Sequence, residues 1–165
     1  MVETLTWILI VATFLNALMA GFLFAFAVVV MPGLKRLSDH EFLRCFQATD
    51  RVIQNNQPLF MAVWLGSTLM LVLAAGLGVI HLDGIDRTLV VLAAMASIFL
   101  VQLPTMTINI PLNNKIQALD FDALDDAAIG LARESFESRW NHWNVIRTIV
   151  ASIILADLLA VLIRL

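Results

Sequence analysis

The sequence predicts an all-α fold, a transmembrane up-down four-helix bundle with amphipathic cytoplasmic helices. Of its 165 residues 61% are hydrophobic and 14% charged, where soluble domains carry about 25% charged residues. The apolar residues are gathered into four stretches, and a bilayer core of about 30 Å at about 1.5 Å per residue needs about 20 residues per spanning helix. Backbone groups inside lipid must be paired within the segment, so such stretches form helices and not the alternating strands of a barrel.

The first span is uncharged from Thr4 to Leu34, the second from Val52 to Leu82 and the third from Thr88 to Asn114. A fourth apolar stretch, Trp140 to Leu165, is interrupted by Arg147, Asp157 and Arg164. The expected spans are about 5–32, 58–80, 88–110 and 142–164, in one integral membrane domain over 1–165. Glu3 precedes the first stretch with no Lys or Arg, and the run is longer than a secretory signal uses, so it reads as a retained span.

Lys35, Arg36, Arg44, Arg51, Lys115, Arg133 and Arg139 lie in the two long connections, against Arg87 and Arg164 on the other side. This bias puts the long connections in the cytoplasm and both termini outside it, with the inner (cytoplasmic) membrane as the expected location. Trp7 then sits near the outer interface and Trp140 and Trp143 near the inner one.

The connections carry structure of their own. Ser38-Asp39-His40-Glu41 has the form of a capping box, and Phe42, Cys45, Phe46, Thr49 and Ile53 recur after it at helical spacing. Ala123 to Arg139 reads as helix with Arg133 and Glu137 four apart, continuing into the fourth span, so the last helix projects beyond the membrane. The short turn His81 to Arg87, containing Gly84, makes spans two and three an antiparallel pair.

Several functions are excluded or disfavoured. Net charge is -3 with no basic stripe, which leaves nucleic-acid binding without an electrostatic footprint. The single cysteine, Cys45, cannot build an intrachain disulfide or a thiol zinc cluster. His40, His81 and His142 are not at metal-ligand spacing, and His142 reads as a solvated surface residue. No phosphate-binding loop, dinucleotide fingerprint or nucleophile elbow occurs.

Polar residues near the span boundaries gather at one membrane face. Pro32 and Gly33 end the first span there, Asn55, Asn56, Gln57 and Pro58 open the second, Asn109, Pro111, Asn113 and Asn114 end the third, and Trp140, Asn144 and Arg147 open the fourth. Gln102, Thr105, Asn109 and Asn113 form one helical stripe, and Trp140, Trp143, Asn144 and Arg147 another. Each asparagine alone is explained by capping a proline-broken helix. Arg147 lies two turns past Trp140, where a lipid-facing charge would cost a few kcal/mol, so it is expected to face inward. Asp157 lies ten residues beyond Arg147, and reads either as a proton or cation station with Asn16 or as a snorkelling carboxyl helped by Arg164.

Gly21 with Phe24, VVVMPGL (Val28 to Leu34), NIPLNN (Asn109 to Asn114) and WNHWNVIR (Trp140 to Arg147) carry a family resemblance. In their order and spacing, from Leu15 to Ala151, the chain resembles the anthrone-oxygenase family of small four-helix membrane proteins, many of whose bacterial members form a domain of unknown function. The resemblance implies a cofactor-free, O2-dependent monooxygenase that converts the methylene of a tricyclic anthrone into a quinone carbonyl. It implies catalytic roles for Arg147, stabilising an enolate, and Asn144, with Asn109, Asn113, Trp140, Gln102 and Phe24 binding substrate and no metal. Neither a histidine nor a carboxylate lies on either polar stripe, so no general base is evident.

Three readings compete. An oxidoreductase acting on a hydrophobic aromatic or quinone-like small molecule requires a chamber at the cytoplasmic helix ends. A non-catalytic binding or scaffold protein requires a filled bundle with Arg147 paired to protein carbonyls. A small transporter requires a polar path from Arg147 to Asp157, which the apolar residues between them interrupt. The expected partners are membrane lipids and the hydrophobic small molecule, with self-association left open.

Overall fold

The computed structural model describes residues 2–165, which form five helices: α1 (Glu3–Leu34), α2 (Asp39–Gln54), α3 (Pro58–His81), α4 (Gly84–Gln117) and α5 (Asp126–Arg164). Four of them, α1, α3, α4 and α5, are long and apolar enough to cross a membrane. They stand in a ring in which α1 packs on α3 and α5, and α4 packs on α3 and α5. Outward-facing residues such as Phe14, Leu69 and Ile163 are exposed and apolar, as a lipid solvent requires. At 39 residues α5 is about 58 Å long, nearly twice a bilayer core, and so extends well past the bundle.

Three of the four prolines shape the helices in one way. The residue before each bonds five residues back instead of four: Met31 N–H to Phe26, Leu103 N–H to Ile98 and Ile110 N–H to Thr105. The ring of Pro32, Pro104 or Pro111 has no N–H and crowds the carbonyl four residues back, and widening the preceding turn relieves that clash. The π turns are therefore Phe26–Val30 in α1, and Ser97–Gln102 and Thr105–Asn109 in α4. Pro58 instead opens α3, where no N–H is needed.

The turns also follow local chemistry. Ser38 and Glu41 form both arms of the capping box that starts α2. Asn56 takes a left-handed conformation between α2 and α3 (φ 57°), and Gly84 does so after His81 (φ 52°), residue types that tolerate this region. The last helix begins at Asp126, capped by Asp125, a little after the expected Ala123. At the opposite end of the bundle Arg164 bonds Asp86 at 2.6 Å, tying α5 to the start of α4.

Two apolar cores fill the ring. One, including Leu5, Leu9, Leu71, Val90, Leu158 and Val161, occupies the end away from α2. The other, including Phe42, Phe46, Ile116, Phe136 and Trp140, lies under α2. Gln47 fastens α2 to the end of α4 by donating to the Ile116 carbonyl (3.0 Å), while Gln117 donates back to the Gln47 carbonyl (2.9 Å). The first of these bonds reaches a carbonyl in the last turn of α4, where a helix leaves its carbonyls without intrahelical partners.

α3 packs closely on α4 only along Gly84–Ala96. Beyond Ala96, α4 turns through its π segments toward α5 and α2, and α3 reaches it through long side chains. Trp64 Nε1 donates to Gln102 Oε1 (2.9 Å) and Gln102 Nε2 to Thr68 Oγ1 (2.6 Å). The divergence leaves space between the two cores.

Candidate functional site

That space is a cavity of about 130 Å³ lined from all five helices. Its walls include residues of both cores, among them Leu23, Val101 and Ile154 on one side and Phe26, Phe46 and Trp140 on the other. The aromatic wall is continuous. Phe22 lies 4.9 Å from Phe26 and 5.1 Å from Phe60, and Phe26 lies 5.8 Å from Trp140, between ring centroids. Such spacings are those of edge-on and tilted ring contacts.

The α4 stripe enters the cavity whole, since Gln102, Thr105, Asn109 and Asn113 all line it. From α5 come Trp140, Asn144 and Arg147. Arg147 is 5% exposed. It donates through Nη1 to Thr105 Oγ1 (2.8 Å), through Nη2 to Asn144 Oδ1 (3.2 Å) and through Nε to the Trp143 carbonyl (3.4 Å). A guanidinium has five N–H donors, so three bonds leave two without an acceptor among the described residues. Among the described residues it forms no ion pair. A buried cation without a counter-charge is costly, and an anionic or electron-rich oxygen in the cavity offsets that cost.

Asn109, 2% exposed, donates from Nδ2 to the Trp140 carbonyl (3.4 Å). A carbonyl only accepts, which fixes the amide orientation and turns Oδ1 away from it. That Oδ1 is the one buried side-chain polar atom without a partner among the described residues. Asn144 Nδ2 holds the Leu23 carbonyl of α1 at 3.2 Å, and Asn16 bonds the Ala12 and Ser67 carbonyls, joining α1 to α3.

A carboxylate also belongs to this wall. Asp50 of α2 is 4% exposed and lines the cavity. Its Oδ1 accepts from Asn113 Nδ2 (2.7 Å) and its Oδ2 from Gln117 Nε2 (2.8 Å) and Gln54 Nε2 (3.3 Å). Asn113 in turn accepts the indole N–H of Trp140 at 2.8 Å. Burial pushes the Asp50 carboxyl above its ordinary range, against the smaller downward pull of the three amide bonds. Helical spacing groups Cys45 and Thr49 with Phe42 and Phe46, yet both are exposed. The buried face is Phe42, Leu43, Phe46 and Asp50, so the helix is rolled modestly about its axis from that grouping. A charged residue at the position four after Phe46, on an otherwise apolar face, was the available signal.

Other expected positions lie elsewhere. Phe24 is 54% exposed and lines a shallow outer groove with Val28, Val145 and Ile149, because the inward face of α1 is Phe22, Leu23 and Phe26. Trp143 is half-buried against His142 and contributes only its carbonyl to Arg147. Asn55 and Asn56 are exposed in the α2–α3 turn, while Gln57 caps α3 by accepting the Phe60 N–H at 2.6 Å. Asp157 faces a separate groove with Ala93 and Ala96, so it meets neither Asn16 in the cavity nor Arg164, which is engaged with Asp86.

No curated protein and no solved structure matches the chain at a significant level. Among protein families, residues 50–156 match anthrone oxygenase. The matched segment covers well over half of the 165 residues and begins at Asp50, so it takes in the α3, α4 and α5 walls of the cavity and the α2 wall from Asp50 on. With a four-helix membrane bundle and that match together, the chain belongs to the anthrone oxygenase family.

Proposed function

We propose that the protein catalyses the O2-dependent oxidation of a hydrophobic aromatic or quinone-like substrate in this cavity, at the helix ends that the Lys and Arg distribution assigns to the cytoplasm. The observation that carries the reading is Arg147, a buried guanidinium with two uncommitted N–H groups and no carboxylate partner among the described residues. A scaffold bundle would use such an arginine to tie down carbonyls, yet Arg147 bonds a single carbonyl, at 3.4 Å.

The reaction balances as one ring methylene and one O2 giving one ring carbonyl and one water. Loss of a proton from the methylene leaves an enolate, which is electron-rich enough to reduce O2 directly. The oxygen that carries the enolate charge sits at the free N–H groups of Arg147, where a water-poor site makes such donors most effective. Asn109 Oδ1 accepts from a substrate hydroxyl, Trp140 and Phe26 hold the rings, and Asn144 fixes the guanidinium. The cavity, at about 130 Å³, is near the size that holds one benzene, about 150 Å³. The remainder of a fused ring system therefore lies toward half-buried Phe60, Met61 and Trp64 in the gap between α3 and α4.

The test is O2 uptake with an anthrone by detergent-solubilised wild-type protein and by Arg147→Ala. Loss of an oxyanion donor predicts a fall of about 100-fold or more in turnover. Equal rates in the two proteins remove Arg147 from the mechanism, and no uptake by wild type removes the activity.

A further inference from the structure

One arginine and one carboxyl line the cavity, held at different heights of α4. Arg147 is bonded to Thr105 and Asp50 to Asn113, eight residues apart and so about two turns along α4. In an anthrone the carbonyl and the methylene also lie on opposite sides of the middle ring. A carbonyl oxygen at Arg147 therefore turns the methylene toward the Asp50 end.

We propose that Asp50 is the proton acceptor of this site, a catalytic residue that takes the methylene proton of the substrate held against Arg147. The C–H bond breaks, the proton forms an O–H bond on Asp50 Oδ1, and the electron pair passes through the ring to the oxygen at Arg147. No oxidant enters this step. The inference rests on the reading of the cavity as an oxidation site and adds the base that the polar stripes lacked.

The geometry suits the role. A carboxylate offers about four lone-pair positions, and three amide bonds occupy one on Oδ1 and two on Oδ2. One position on Oδ1 is left open. The groups facing Asp50 are amides, Asn113 and Gln117 from α4 and Gln54 from its own helix, none of which titrates. α1 and α5 bring the uncharged rings of Phe26 and Trp140 to the same cavity, with Arg147 of α5 bonded to Thr105, and the cation on the amide network, Arg51, reaches only Gln117 Oε1 (3.4 Å). The carboxylate thus stays unneutralised by any ion pair among the described residues, with a proton affinity raised above that of a solvated aspartate.

The experiment separates proton transfer from oxidation. Full-length protein in detergent is mixed with anthrone in D2O without oxygen, and hydrogen–deuterium exchange at the methylene is followed by NMR. Binding of the corresponding anthraquinone is read in parallel from tryptophan fluorescence. Wild type is expected to accelerate exchange. Asp50→Asn is expected to lose about 100-fold or more of that acceleration while binding changes less than threefold, and Asp50→Glu is expected to recover part of it. Unchanged exchange in Asp50→Asn, with wild type active, overturns the role of Asp50 and leaves the oxidation reading standing. Absence of both exchange and O2 uptake in wild type overturns the two together.

Discussion

Asn113 bonds Asp50 across 2.7 Å, and through this contact the amphipathic helix α2 becomes part of a chamber otherwise built by spanning helices. The same amide accepts the Trp140 indole N–H at 2.8 Å, so one side chain orients both a carboxylate and an aromatic wall. Replacing it with leucine leaves the indole N–H and one carboxylate oxygen without their partner. The expected cost is about 1–3 kcal/mol, the usual penalty for buried polar groups left unmatched, seen as a lower melting temperature in detergent. Turnover with an anthrone is expected to fall as well, because Asp50 loses the donor that orients it.

The raised proton affinity of Asp50 gives stability a definite pH dependence. The folded chain holds this proton more tightly than the unfolded chain, whose carboxyl stays near 3.8. Between that value and the raised one the native state binds more protons, so the Asp50 contribution falls as pH rises through the window. Melting curves of Asp50→Asn, compared with wild type from acid to neutral pH, are expected to lack this decline. In the wild type the acid limb of the turnover profile is expected above the ordinary carboxylate range, since the base acts deprotonated.

Asn109 separates binding from stability. Its Oδ1 is unpaired and its Nδ2 bond is long, at 3.4 Å. Asn109→Leu removes a buried polar group that is only half satisfied, so melting is expected to change by less than about 1 kcal/mol. Affinity for a hydroxylated anthraquinone is expected to weaken about tenfold, the loss of one hydrogen bond near 1.4 kcal/mol. Titration of tryptophan fluorescence measures it, and unchanged affinity would show that Oδ1 meets no substrate donor.

Neighbouring phenylalanines on α1 make a paired control. Phe22 lines the cavity and touches Phe60, whereas Phe24 faces outward. Phe22→Ala is expected to lower affinity for the aromatic ligand, while Phe24→Ala leaves affinity and turnover within about twofold, a shift of about 0.4 kcal/mol.

Arg133 holds the end of α1 and the start of α2 against α5. It pairs with Asp39 (2.9 Å) and Glu137 (2.8 Å), donates to the Lys35 and Leu37 carbonyls, and lies 4.3 Å over the Phe42 ring. Its side chain is only 13% exposed. Arg133→Ala is expected to cost about 2–4 kcal/mol, since a largely buried pair is broken on one side. Earlier proteolysis in the α1–α2 connection during limited digestion is the accompanying sign.

The sequence alone determined the four spanning helices, the capping box at Ser38, the extended last helix and the inward face of Arg147. Each follows from near-neighbour chemistry: run length against a bilayer, an i to i+3 cap, a charge that lipid will not hold. Its α4 stripe stays on one wall, because the two π turns that follow from Pro104 and Pro111 do not carry Gln102, Thr105, Asn109 and Asn113 out of the cavity. Tertiary structure alone decided which way α2 is rolled. A modest roll of a short amphipathic helix about its own axis exchanges Cys45 and Thr49 for Leu43 and Asp50, and local periodicity barely distinguishes the two. What settles it is a set of contacts about seventy residues apart in the chain, Gln47 and Asp50 with Ile116, Asn113 and Gln117. Likewise, Phe22 and Phe26 rather than Phe24 face the cavity because α1 must present one side to α3 and α5 together, a constraint that exists only once the ring has closed.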